Sequence, residues 1–290
     1  MDYKKIPIFI ISWNRTETLK CCLERYVRDG YTNIIIVDNA STNQAHIEYL
    51  KSLSCKVVFL KKNYGARGFW ECGLFDEIIE NHYYVVTDPD ILPVEQCPSN
   101  YIEEFYEILQ AHPDKRKVGF ALKIDDLPEE YPYKYQIIGY ESIYYDKRIH
   151  WKFPAYDAPI DTTFALYRPG RKDRYFYDGI RTGYPYMAYH LGWYPNKFSQ
   201  REYFRNKNNN SSSSMSDKSM QEYRRLAVAY LACEQDQNFY ILTKRMFTRQ
   251  FIQKHVNWGI LLQSFFYMIY KKIETDVHVF KPICKKWWGK

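Results

Sequence analysis

Tyr83-Tyr84-Val85-Val86-Thr87-Asp88-Pro89-Asp90 sets two carboxylates one residue apart, directly after an apolar run. An apolar, aromatic and β-branched run bounded by a proline-containing polar turn reads as a buried strand of a sheet covered on both faces. Such a strand delivers Asp88 and Asp90 to its carboxyl end, where open α/β sheets bind their ligands. Two hard oxygen ligands on a short turn suit Mg²⁺ or Mn²⁺, which take carboxylate, phosphate and water oxygens. The same Asp-x-Asp pattern also suits a solvated turn or a helix cap, so the flanking segments decide its meaning.

Toward the N-terminus, Ile6-Pro7-Ile8-Phe9-Ile10-Ile11 is another apolar run. It is followed by Ser12-Trp13-Asn14-Arg15 and by a helical pattern, Thr18 to Leu23, that ends near Asp29-Gly30. Asn33-Ile34-Ile35-Ile36-Val37 stops at Asp38-Asn39-Ala40-Ser41-Thr42, and Lys56 to Leu60 leads into Asn63-Tyr64-Gly65-Ala66-Arg67-Gly68. Strands alternating with helices predict an α/β fold: a mostly parallel, Rossmann-like sheet flanked by helices, with polar residues gathered at one edge.

With Ile11–Arg15, Val37–Thr42, Asn63–Gly68 and Thr87–Asp90 in this order, the chain resembles the nucleotide-sugar-dependent glycosyltransferases of the GT-A fold. Within them it is similar to the family-2-like group of bacterial surface-polysaccharide (lipopolysaccharide or capsule) synthesis. The likeness is close over the first third of the chain and loose beyond it. It implies a metal-dependent, inverting transfer of a hexose-type sugar from a UDP-sugar to a glycan or lipid-linked acceptor.

Residue by residue, the resemblance implies that Asp38 accepts from the imide N–H of a uracil ring, with Ser12, Asn14 and Arg15 in the loop around base and ribose. Asn63, Gly65, Arg67 and Gly68 would meet the diphosphate, the glycines by close backbone approach and Arg67 by neutralising charge. Asp88 would meet the ribose or the metal, and Asp90 the metal directly. A cation bridging the two phosphates offsets the charge that develops as the sugar–phosphate bond breaks. His190 is the implied third ligand, and an imidazole there favours Mn²⁺ over Mg²⁺. An inverting enzyme also needs a general base on the acceptor hydroxyl. Asp161, ahead of an apolar strand and between Asp90 and His190 in order, is the implied base. Asp126, beside Asp125 and after Val118–Leu122, is the alternative, because the chain lacks a clear Glu-Asp pair of the common family-2 type. Each of these acids also suits a strand-end cap.

The 290 residues accommodate one catalytic domain and an appendage. The expected division is a catalytic domain over 1–205, with a nucleotide-binding half 1–95 and an acceptor half 96–205. An Asn- and Ser-rich loop over 206–218 and a basic helical C-terminal extension over 219–290 follow. Aromatic residues make up 18% of the chain. Tyr133, Tyr135, Trp151, Phe153, Tyr184, Tyr186, Trp193 and Tyr194 could line an acceptor groove, two or three of them touching sugar.

Charge is unevenly spread: residues 201–290 carry 16 Lys and Arg against 7 Asp and Glu, while residues 1–200 are nearly balanced. Phe251 to Tyr270 is interrupted by polar residues and makes a poor spanning helix. As a basic amphipathic segment with tryptophans it suits the anionic inner leaflet, or else packing on the catalytic domain or in a homodimer. Nucleic acid is not an expected partner, since no recognition module is visible. The seven cysteines are scattered and lack zinc spacing, and no signal peptide precedes the first strand. Both suggest a reducing, cytoplasmic setting, and the basic extension suggests the inner face of the plasma membrane. Two other readings stay open: a sugar-nucleotide nucleotidyltransferase, although Ser12–Arg15 lacks that class's glycine-rich loop, and a catalytically degenerate membrane-associated scaffold.

Overall fold

The structure is a computed structural model and describes residues 1–131, 134–170 and 178–194. The chain divides into two compact units; the described residues of the larger are 1–131 with 147–194, and those of the other are 134–146. The described part of the smaller unit is the helix Lys134–Ser142 followed by a short 3₁₀ turn, Ile143–Tyr145. The predicted loop 206–218 and the extension 219–290 lie outside the described residues, as does Tyr133.

The larger unit begins with strand β1 (Ile8–Ser12), helix α1 (Thr16–Arg28), β2 (Ile34–Asp38), α2 (Gln44–Ser52) and β3 (Lys56–Phe59). It continues with two short helices, α3 (Gly68–Glu71) and α4 (Asp76–Asn81), then β4 (Tyr84–Thr87), β5 (Ile91–Pro93), α5 (Tyr101–Ala111) and β6 (Lys117–Leu122). Beyond the smaller unit, whose helix is α6, come β7 (Arg148–Ile149), β8 (Ala155–Asp157), β9 (Ala165–Tyr167) and β10 (Gly179–His190).

The strands form one sheet in the order β3-β2-β1-β4-β9-β6-β10-β8-β7, with β5 paired to β10. β3, β2, β1 and β4 are mutually parallel, as are β6 and β10, whereas β9 runs antiparallel between β4 and β6. This is the mostly parallel α/β sheet that the alternating pattern predicts. A Cβ on residue 119 would approach the Phe164 carbonyl oxygen to 2.3 Å, so Gly119 is what lets β9 lie against β6.

Every residue of β1, β2, β4 and β6 is buried, the consequence of helices on both faces. Phe9 and Ile11 pack with Phe69, Trp70, Phe75 and Ile79 of the α3–α4 region. Ile8 and Ile10, alternating with them, face the other way. In α1 the buried Leu19, Cys22, Leu23 and Tyr26 follow the i, i+3, i+4, i+7 stripe of a helix lying on a core. Tyr26 meets Phe164, which in turn contacts Tyr101, Phe105 and Phe120.

From β1 the chain builds outward through β2 to β3, then returns to place β4 on the other side of β1. The order therefore reverses between β1 and β4, and the crevice beyond their carboxyl ends is the usual ligand position of such a sheet. Ser12 ends β1 and Thr87 ends β4, which puts Asp88-Pro89-Asp90 at that crevice.

Candidate functional site

Two loops beside this crevice are built by side-chain amides. Ser12 is opposite Asp38 in the β1–β2 ladder, and Asp38 is opposite Phe59 in β2–β3. Asn14 adopts a left-handed backbone (φ 53°), which asparagine tolerates. Its Oδ1 accepts from the Thr42 and Asn43 amides at 2.9 and 2.8 Å, its Nδ2 donates to Thr42 Oγ1, and its own N–H donates to Ser41 Oγ. Asn14 thus clamps the segment that starts α2. Ser12 is fully buried with its hydroxyl 3.1 Å from His46 Nε2, and His46 Nδ1 lies 2.9 Å from Thr16 Oγ1. Burial holds the His46 pKa below its ordinary value, with Asp38 opposing the shift.

Asp38 is buried, and one of its oxygens, Oδ2, accepts from the Ser41 amide at 3.1 Å. Oδ1 has no hydrogen-bond partner. Asn39, next in sequence, accepts from the Tyr64 amide at 2.8 Å and donates to the Gly65 carbonyl at 2.8 Å, tying the 63–68 loop to β2. Gly65 takes φ +70°, and Asn63 Oδ1 accepts from its amide. A Cβ at Gly68 would lie 3.2 Å from Asn39 Oδ1. Arg67 is half-exposed and pairs with Glu71 at 3.2 Å along the helix surface.

The acidic turn is fixed from three sides by residues far away in sequence. The Asp88 amide donates to the Thr162 carbonyl at 2.9 Å, and Thr162 Oγ1 donates back to Asp88 Oδ2. The Leu191 amide donates to the Asp90 carbonyl at 2.8 Å, and β10 pairs His190 with Ile91. From α1, Cys22 Sγ and Tyr26 Oη both reach the Ile91 carbonyl. Asp88, Asp90, Asp161 and His190 are therefore brought to one place.

Electrostatics there are adverse to two negative charges. The half-buried Asp88 has its carboxyl pushed well above the usual range by desolvation and then by Asp90; Asp161 adds to this, while the Thr162 bond and Arg15 oppose it. Asp90 is 3% exposed. Its Oδ2 lies 3.6 Å from Arg15 Nη1 and 3.8 Å from His190 Nε2, and its Oδ1 has no hydrogen-bond partner. His190 stacks parallel on Trp193, with centroids 4.6 Å apart.

A divalent cation fits this chemistry. It would satisfy the partnerless Asp90 oxygen and relieve the repulsion between Asp88 and Asp90. Among the described residues no three His, Cys, Asp or Glu side chains converge closely enough to hold a metal unaided. Phosphate and water oxygens would have to complete the shell.

Asp126 is held differently. Its Oδ1 accepts from Tyr194 Oη at 2.7 Å and its Oδ2 lies 3.7 Å from Lys123. Of the eight aromatic residues expected near an acceptor, Tyr186, Trp193 and Tyr194 are buried in packing, whereas Tyr184 is 60% exposed. Trp151 and Phe153 are half-buried. No described helix is long and apolar enough to cross a membrane.

Three residues absent from the expectations shape the site: Asn39, His46 and Lys117. Lys117 is fully buried, donates to the Ile160 carbonyl at 2.5 Å, and lies near Tyr167 Oη. Its pKa is lowered to about 7, by desolvation first, with Asp161 opposing. It supports the segment that carries Asp161 and Thr162. Beside it, Arg181 Nε donates to the Pro159 carbonyl at 2.7 Å.

No protein-family model and no curated protein matches the sequence. Among solved structures, the chain is similar to the mannosyltransferase PcManGT from Pyrobaculum calidifontis in complex with GDP-Man and Mn²⁺, at 13% identity and a TM-score of 0.40. That alignment covers 99% of this chain and 88% of the other.

Proposed function

We propose that the chain is a metal-dependent glycosyltransferase that moves a hexose-type sugar, with inversion, from a UDP-sugar to a glycan or lipid-linked acceptor at a membrane surface. The observation that carries the reading is the pair Asp88 and Asp90 at the reversal of strand order, with one buried Asp90 oxygen lacking a hydrogen-bond partner. A bound cation would neutralise the diphosphate leaving group.

Asp38 supports uracil as the base. One carboxylate oxygen is taken by the Ser41 amide and one is left, which matches the single imide N–H of uracil. Guanine presents two adjacent donors and would ask for both oxygens. Asp161 is the preferred base because it is exposed and close enough to act on Asp88, whereas Asp126 is engaged by Tyr194 and Lys123. Asp161 would take the proton of the acceptor hydroxyl, and the clasped carbonyls of Pro159 and Ile160 would hold it in place.

Titration calorimetry with UDP, GDP, ADP and CMP, with and without Mn²⁺, tests the donor. UDP should bind tightest, and only with the metal; an equal or higher affinity for GDP would overturn the uracil assignment. With a UDP-sugar and a competent acceptor, Asp161→Asn should keep donor binding and lose about 10²-fold or more in transfer. Asp126→Asn should lose little, and the reverse pattern would move the base to Asp126.

A further inference from the structure

We infer that Arg15 holds the place of the divalent cation beside Asp90 until a diphosphate draws it away, so that metal and nucleotide bind as a coupled pair. This rests on the transferase reading and assigns Arg15 a role in the order of binding.

The geometry starts from one oxygen. Asp90 Oδ2 has Arg15 Nη1 at 3.6 Å and His190 Nε2 at 3.8 Å, and Asp90 is almost wholly buried. Arginine keeps its charge at any relevant pH, so a permanent positive charge already faces the carboxylate pair. A cation arriving alone meets two carboxylates partly neutralised by Arg15, and its attraction falls accordingly.

Two features make the Arg15–Asp90 contact exchangeable. At 3.6 Å the contact is an ion pair without a short hydrogen bond. The side chain is also 22% exposed, on the residue that precedes α1 at the rim of the crevice. A diphosphate offers a guanidinium paired acceptor oxygens and more negative charge than one carboxylate does. Arg15 leaving Asp90 for the phosphates would restore the full charge of the Asp88–Asp90 pair as the phosphates supply the remaining cation ligands. Each ligand then favours the other by the same factor.

The experiment measures Mn²⁺ alone, by the free-ion paramagnetic resonance signal, against wild type, Arg15→Gln and Arg15→Lys. It then repeats the titration with saturating UDP. Wild type should bind Mn²⁺ alone weakly and gain strongly with UDP. Arg15→Gln should bind Mn²⁺ alone about fivefold or more tighter, with the gain from UDP reduced by a similar factor, within the range of ordinary site coupling. Arg15→Lys should stay near wild type. The inference is overturned if Arg15→Gln binds Mn²⁺ alone no tighter than wild type, or if Arg15→Lys behaves as Arg15→Gln. It is overturned on the wild type itself, whatever the variants' folding, if UDP leaves Mn²⁺ affinity unchanged. If wild type binds UDP neither with nor without Mn²⁺, the transferase reading itself fails.

Discussion

The loop at 38–43 and the turn at 88–90 leave the same edge of the sheet on strands that flank β1, yet their polar groups are in opposite states. Around the loop, the amides of Asn14 and Asn39 spend their donors and acceptors on neighbouring loop atoms. In the turn, the Asp90 Oδ1 is buried with no hydrogen-bond partner and Asp88 is forced toward its protonated form. A buried polar group without a partner costs stability, and one placed at a ligand crevice is open to a partner from outside the chain. The difference separates scaffold from chemistry inside motifs that look alike as strings of polar letters. Asp38 belongs to both groups: one oxygen is spent on the Ser41 amide and the other has no partner.

Substitution can break this contrast. The largest effect is expected from Asp90→Ala, which should lower transfer by about 10³-fold and abolish metal-dependent UDP binding. Its melting temperature should stay level or rise, because a charge without full compensation is removed. A fall of several degrees in a thermal melt would show that Asp90 is scaffold after all. Asn39→Ala should do the reverse. Losing two half-buried hydrogen bonds, to the Tyr64 amide and the Gly65 carbonyl, should cost about 1–2 kcal/mol in urea unfolding. An unchanged midpoint would contradict the division.

Lys117 sharpens the contrast further, because it is a buried charge whose bonds stay within the chain. Its folded pKa near 7 lies below the unfolded value, so above pH 7 the unfolded chain holds this proton more than the folded one does. The Lys117 contribution to stability should therefore rise with pH from about 7 toward 9, against the fall expected from cysteine thiols that burial holds above their ordinary range. Lys117→Met should remove about 1–2 kcal/mol of that rise. Parallel stability–pH curves for the two proteins, from urea melts at pH 6.5 to 9, would rule out the buried titration.

The β1–β4 part of the sheet was legible because its strands are long apolar runs that stop at polar clusters. The runs read at Ile6–Ile11, Asn33–Val37, Lys56–Leu60 and Tyr83–Val86 coincide with strands β1 to β4, overrunning each by a residue or two at one end. β9 is only three residues long, so its apolar character was readable but its antiparallel place between β4 and β6 was not. His46 went unnoticed because the helix implied between the second and third strands was not placed on particular residues, although Asn43 ahead of Gln44 is a helix-start signal. Lys117 at the head of Lys117–Leu122 looks like an exposed strand boundary. It is buried because residues some forty positions later cross over it, and no local pattern encodes that cover.

The three anchors on the acidic turn also set when the site can exist. Thr162 and Leu191 follow Asp88 and Asp90 by many tens of residues, and each holds the turn through backbone atoms. During synthesis the two carboxylates emerge long before the segments that fix them, and loop closure over such distances comes late in folding. Metal binding at Asp88 and Asp90 would then serve as a clock for completion of this unit, silent in any fragment that stops short of β10.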